Sequence, residues 1–124
     1  VIGLSWLLSA AAVSANGNVV ELEVKGGIGV ATADYIIAGI EHAEETAAEL
    51  VIINIDTPGG LMEPMRDIVQ DILTSDVPVA TYVTPAGARA DSAGTYILLA
   101  SHIAAMAPGT ATAPKPMMVF MPPP

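Results

Sequence analysis

An α/β fold built around a mainly parallel sheet is what this 124-residue sequence predicts. Stretches of strand character begin near residues 18, 50, 78 and 103, and segments of helical spacing separate them at fairly even intervals. The stretch 50–55 (LVIINI) is continuously apolar, as expected of a strand buried on both faces of a parallel sheet. Strands alternating with helices connect through right-handed crossovers, which keep the strands parallel.

In chain order, residues 1–15 (VIGLSWLLSAAAVSA) carry no charge and end in small residues. The segment is too short to cross about 30 Å of hydrocarbon as a helix. It fits the apolar region and cleavage site of a secretory signal peptide, a reading that places the working domain at residues 16–110 and outside the cytoplasm; the alternative is a buried helix or strand of the domain. Residues 18–25 (NVVELEVK) alternate, with Val20, Leu22 and Val24 on one face and Glu21 and Glu23 on the other. From Thr32, read as an N-cap, Ala33, Ile36, Ile37, Ile40, Ala43 and Ala47 recur at helical spacing. Glu41, Glu44 and Glu45 form the solvated side of that helix.

After the strand 50–55 comes Asp56-Thr57-Pro58-Gly59-Gly60, then a helix with Leu61, Met65, Ile68, Val69, Ile72 and Leu73 directed inward. Residues 78–83 are the next strand and 84–91 a loop. Residues 92–101 (SAGTYILLAS) form an almost wholly apolar, buried helix, and 103–106 a last short strand. Residues 111–124 make a tail rich in proline and methionine. Proline removes amide donors and restricts its predecessor, so the tail is neither helix nor central strand. It reads as the truncated or frame-shifted end of a longer protein.

Composition narrows the function. The 13 acidic residues outnumber the four basic ones, and the net charge of −9 argues against nucleic acid and anionic membrane surfaces. Without cysteine there is no disulfide, thiolate nucleophile or cysteine-held metal, and His42 and His102 lie too far apart in sequence to suggest a metal site. No metal or organic cofactor is expected.

In a parallel sheet, ligands bind beyond the carboxyl ends of the strands. Two junctions there stand out. In DTPGG (56–60), Pro58 fixes φ and the glycines reach conformations closed to other residues. The amides of Gly59, Gly60 and Leu61 would lie unpaired at a helix start, suited to a carbonyl oxygen acquiring negative charge. The bland alternative is a tight turn that binds nothing. In ADSAG (90–94), Ser92 is either an ordinary helix cap or a nucleophile with the Ala93 amide as an oxyanion donor. Ala90 stands where a nucleophile elbow wants glycine. Together the two junctions make an acyl-transfer constellation awaiting a base.

DTPGGL (56–61), VPVATYVTPAGARADSAGTYI (77–97) and HIAAMAPGT (102–110) resemble the NfeD-type membrane-bound serine proteases. These are relatives of the ClpP and signal-peptide-peptidase-A proteases, in the ClpP/crotonase fold. The resemblance runs from about residue 19 to 110, and the leading signal segment separately fits that family. It implies a serine–lysine endopeptidase that cleaves apolar segments of membrane-associated, stomatin-like proteins, with Ser92 as nucleophile and Gly59, Gly60 and Ala93 shaping the oxyanion hole. A homo-oligomer is expected.

The base is harder to place. A lysine can accept the serine proton if burial lowers its pKa. The family's lysine follows the APGT segment, where this chain reads ATAPKPMMVFMPPP. Lys115, between two prolines, is not assigned the role, and Lys25 looks like a solvated strand end. His102 lies a ten-residue helix, about 15 Å, from Ser92. Asp91 would keep a nearby lysine protonated. The parent is therefore expected to be an extracytoplasmic, membrane-associated protease, with this chain an inactive fragment of it. A non-catalytic apolar-peptide-binding module is the main alternative. A crotonase-like acyl-CoA enzyme is a third reading, weakened by the signal segment and by the few bases available to meet CoA phosphates.

Overall fold

The computed structural model describes residues 17–112. The signal-like segment 1–15, Lys115 and the tail from residue 113 onward lie outside that span. Strand β1 (Val19–Lys25) leads to helix α1 (Val30–Glu45), then β2 (Leu50–Asp56), α2 (Met62–Thr74) and β3 (Val79–Val83). The short β4 (Arg89–Ala90), α3 (Ala93–Ala100), β5 (Ile103–Met106) and β6 (Ala111–Thr112) complete the order. The main sheet runs β1-β2-β3-β5, and every neighbouring pair is parallel. β4 and β6 form a separate parallel pair, and Thr57 bridges to Ala90. The α/β fold with a mainly parallel sheet is the one expected.

Strand order follows chain order, so each crossover steps the same way. With a single handedness, all three helices fall on one face of the sheet. The packing agrees, since α1 lies against α2 and α2 against α3. Leu22 and Val24 of β1, Val51, Ile53 and Ile55 of β2 and Val79 and Val83 of β3 share that face and are buried. Ile36 and Ile40 of α1, Ile68 and Ile72 of α2 and Ile97 of α3 close the core over them. At about 25 cal/mol per Å² of apolar surface, each such side chain contributes about 1.5–3 kcal/mol to burial. On the other face, buried Asn54 donates from Nδ2 to Glu21 Oε1 (2.7 Å) and Glu23 Oε1 (2.6 Å).

Several local expectations change. α1 begins at Val30 with Gly29 as N-cap, and Thr32 is its third residue. Thr32 Oγ1 accepts from the Gly29 amide (3.4 Å) and donates to the Gly27 carbonyl (3.2 Å), so its hydroxyl serves the helix start from inside. Leu61 and Leu73, expected inward, are exposed. Leu61 is an extended N-cap residue off the helical wheel, and buried Pro64 takes the inward position in the first turn. α3 is buried only through Ala93, Gly94, Ile97 and Leu98, while Tyr96 and Leu99 face outward. All of β5 is exposed at the sheet edge. The stretch 84–91, expected as loop, includes β4, and β6 lies beyond Thr110.

Candidate active site

The site forms where β2 ends. The Asp56 carbonyl accepts from Gly26 N–H (2.9 Å), and its Oδ1 accepts from Arg89 N–H (3.1 Å). Next, Thr57 N–H donates to Arg89 O (2.7 Å) and Thr57 O accepts from Asp91 N–H (3.1 Å). The residue after β2 is thereby tied to both flanks of the segment that delivers Ser92. The two junctions singled out in the sequence lie side by side.

Of the three amides expected to be unpaired, two are engaged. Gly59 N–H donates to Thr57 Oγ1 (3.1 Å), and Leu61 N–H donates to Ile28 O (2.8 Å). Among the described residues, the Gly60 amide has no partner. Gly60 lies against the Ile28 backbone so closely that a Cβ would collide with the Ile28 carbonyl. Gly59 has φ +113°, and a Cβ there would stand 2.8 Å from Ser92 Cβ and 3.4 Å from Ser92 Oγ. Glycine at this position is what lets the DTPGG turn approach the serine.

Ser92 occupies the N-cap of α3 without capping it. Its hydroxyl makes no cap bond, and its backbone sits at φ 50°, ψ −110°. For a residue with a Cβ this is a sparsely populated conformation, costing about 1–3 kcal/mol, of the kind that concentrates at functional sites. It turns the chain sharply from β4 into α3 and leaves the serine exposed. The Ser92 carbonyl accepts from Thr95 N–H (3.0 Å), and Gly94 N–H donates to Asp91 O (2.9 Å). The Ala93 amide, first in the helix, has no partner among the described residues. A strained serine and two open amides, those of Gly60 and Ala93, thus gather around Gly59.

The remaining candidates fall elsewhere. His102 Nδ1 accepts from Val79 N–H (3.0 Å) at the beginning of β3, the opposite end of the strand from the junctions. Lys25, the sole lysine among the described residues, ends β1 in register with Asp56 and is exposed. Arg89 Nη1 lies 3.6 Å from Asp91 Oδ2, so the acid beside Ser92 has a cation against it. Among the described residues, no three histidine, aspartate or glutamate side chains gather as a metal site.

A groove of about 470 Å³ lies between α2 and α3, lined by Met62, Met65, Arg66, Val69, Gln70 and Tyr96. Met62 follows Gly60 by two residues, and Tyr96 lies one helical turn beyond Ser92. Sequence reasoning missed this groove because it placed the α3 side chains inside. It also missed Thr57, a fully buried hydroxyl.

Residues 18–115 match the N-terminal domain of NfeD1b. The chain belongs to the NfeD family. It is 52% identical over 88 residues to the membrane-bound protease PH1510 of Pyrococcus horikoshii, covering 71% of this chain and 20% of that protein. With the membrane protein NfeD1b of Bacillus subtilis the identity is 37% over 90 residues, covering 73% and 19%. The chain thus spans about a fifth of the length of these curated relatives. A solved structure of the 1510-N membrane-bound stomatin-specific protease, a serine-to-alanine mutant, superposes with a TM-score of 0.76. The identity is 48%, covering 77% of this chain and 46% of that one. A lysine-to-alanine mutant of the same protease in complex with a substrate peptide gives 0.72 at 48% identity, covering 78% and 45%. ClpP1 from Listeria monocytogenes, at 21% identity and a TM-score of 0.68 over 81% of this chain and 60% of that one, shares the fold. This NfeD domain is therefore ClpP-like in architecture.

Proposed function

We propose that this NfeD domain carries the nucleophile and oxyanion hole of a serine endopeptidase. The supporting observation is the strained, uncapped Ser92 held against Gly59, with the Gly60 and Ala93 amides open beside it. Ser92 Oγ attacks the scissile carbonyl and gives up its proton to a base. Gly60 and Ala93 N–H donate to the resulting oxyanion, and Gly59 supplies the space for the approach. Collapse of that intermediate expels the amine, which takes the proton, and water then hydrolyses the acyl-enzyme. The reaction uses no metal or cofactor.

The dyad reading assigns proton transfer to a lysine. Lys25, at an exposed strand end, is the sole lysine of residues 17–112, so this reading looks for its base beyond them. The substrate class is an apolar segment of a stomatin-like membrane protein. Two things support this: the name of the 1510-N protease, and the groove between α2 and α3, where Met62, Met65, Val69 and Tyr96 line most of the wall beside Arg66 and Gln70. The signal-like segment and the membrane-bound relatives support an extracytoplasmic, membrane-associated parent. No helix among the described residues is long and apolar enough to cross a membrane.

A second reading is a peptide-binding crevice without catalysis, which the groove between α2 and α3 would serve equally well. Labelling with a serine-reactive fluorophosphonate separates the two. An adduct that disappears in Ser92→Ala supports the nucleophile. A folded domain that binds an apolar peptide but takes no label supports the binding module instead.

A further inference from the structure

We infer that Thr57 is a positioning residue, whose buried hydroxyl fixes the orientation of the Gly60 amide for the oxyanion. The inference rests on the reading of Ser92 as nucleophile and adds a residue to it. Thr57 is fully buried at the end of a strand whose inward residues are Val51, Ile53 and Ile55. Packing alone would be satisfied there by valine, which has the same shape without the hydroxyl. A buried hydroxyl is tolerated only when its hydrogen bonds are made.

Both bonds go to one residue. Thr57 Oγ1 accepts from Gly59 N–H at 3.1 Å and donates to Gly59 O at 3.2 Å. The Gly59 carbonyl also accepts from Ile28 N–H at 2.9 Å. That carbonyl and the Gly60 N–H belong to one planar trans peptide, so they point in opposite directions. Holding the carbonyl toward Thr57 and Ile28 turns the Gly60 N–H away from both. A peptide between two glycines rotates at little steric cost, because neither neighbour has a Cβ to bias it. Without the Thr57 hydroxyl, one of the two bonds restraining that rotation is gone.

Thr57 also reaches the serine side of the site. Its backbone bonds Arg89 and Asp91, and its methyl lies where a Cβ on Gly94 would come within 2.5 Å. One side chain therefore sets the turn that bears one oxyanion donor and packs against the helix start that bears the other. A misplacement of about 1 Å in such a group can cost about a hundredfold in rate.

The test compares Thr57→Val, which keeps the shape, with Thr57→Ser, which keeps the hydroxyl. Fluorophosphonate labelling of Ser92 should slow about tenfold or more in Thr57→Val and stay within about threefold of wild type in Thr57→Ser. Affinity for a fluorescein-tagged apolar hexapeptide, measured in the Ser92→Ala background, should change less than about twofold in either. The Gly60 amide resonance should shift in Thr57→Val and hold its place in Thr57→Ser. If Thr57→Val fails to fold by circular dichroism, Thr57→Cys, with a weak donor, takes its place. Wild-type labelling rates in the hydroxyl-free variant, or equal loss in Thr57→Ser, overturn the inference and leave the nucleophile reading standing. A wild-type domain that takes no label overturns the nucleophile reading and this inference with it.

Discussion

Replacing Ser92 by glycine and, separately, by alanine measures how much backbone strain the site stores. The serine side chain is exposed and makes no cap bond, so both substitutions lose only the hydroxyl in common, and glycine alone also gives up the Cβ beside Gly59. What differs is the Cβ at φ 50°, ψ −110°. Alanine keeps it and the strain, about 1–3 kcal/mol. Glycine relieves the strain but gives back about 0.5–1 kcal/mol through the greater freedom of the unfolded chain. The glycine variant should therefore exceed the alanine variant in stability by about 1 kcal/mol, which for a domain of this size is about 4–8 °C in Tm. Thermal and urea unfolding followed by circular dichroism reads the difference, and labelling should be lost in both variants. A glycine variant that melts with or below the alanine variant would refute stored strain at Ser92. The turn would then have to be explained without a functional cost.

Other expectations follow from single contacts. Gly94→Ala drives a Cβ into the Thr57 methyl and should cost about 1–3 kcal/mol. Adding Thr57→Ser, which deletes that methyl, should recover a measurable part, and strict additivity in the double-mutant cycle would refute the contact. Burial first, then the nearby Glu41 and Glu44 carboxylates, raise the Asp71 pKa above 3.8. A raised acid pKa means the folded state holds the proton longer, so Asp71 loses stability for the fold as pH rises from 3.8 through its folded pKa. Asp71→Asn should thus raise Tm near neutral pH, by about 2–4 °C on the scale of one relieved like-charge pair, and the gain should vanish below pH 3.8. Met62→Glu places a charge in the α2–α3 groove at an exposed position, so apolar-peptide affinity should fall about tenfold with Tm almost unchanged. Equal affinity would remove the groove from substrate binding.

The architecture was legible because its main signals are local. The apolar run of β2 and the alternation of β1 each belong to one element, and the structure places them close to their expected bounds. The start of α1 was misplaced because Thr32 acts from the third helical position, which a search for capping residues reads as the first. The amphipathic spacing of α2 points Leu61 and Leu73 inward, and the almost wholly apolar α3 reads as buried throughout, Tyr96 and Leu99 with it. Which apolar residues of a helix face outward depends on how much of it the neighbours cover, and that is tertiary information. β4 and β6 have two residues each, too few for any periodicity.

The site was legible for a different reason. Each conspicuous glycine of the two motifs answers to something outside its own turn: Gly59 to Ser92, Gly60 to the Ile28 backbone, Gly94 to the Thr57 methyl. A turn that merely reversed the chain would explain positive φ at Gly59, but not three close approaches. DTPGG and DSAG together are therefore the imprint of one packed junction, in which each loop makes room for the other. That is why the pair was more informative than either motif alone. It is also why Thr57 went unnoticed, since a β-branched residue at a strand end needs no special account until its hydroxyl is seen to be buried. The useful signal would have been its place two residues before glycine, where a threonine hydroxyl can bond the amide ahead of it. Ile28 carried no signal of its own. Its part in holding the Gly59 carbonyl comes from a bridge between chain segments more than thirty residues apart, which only the assembled sheet creates.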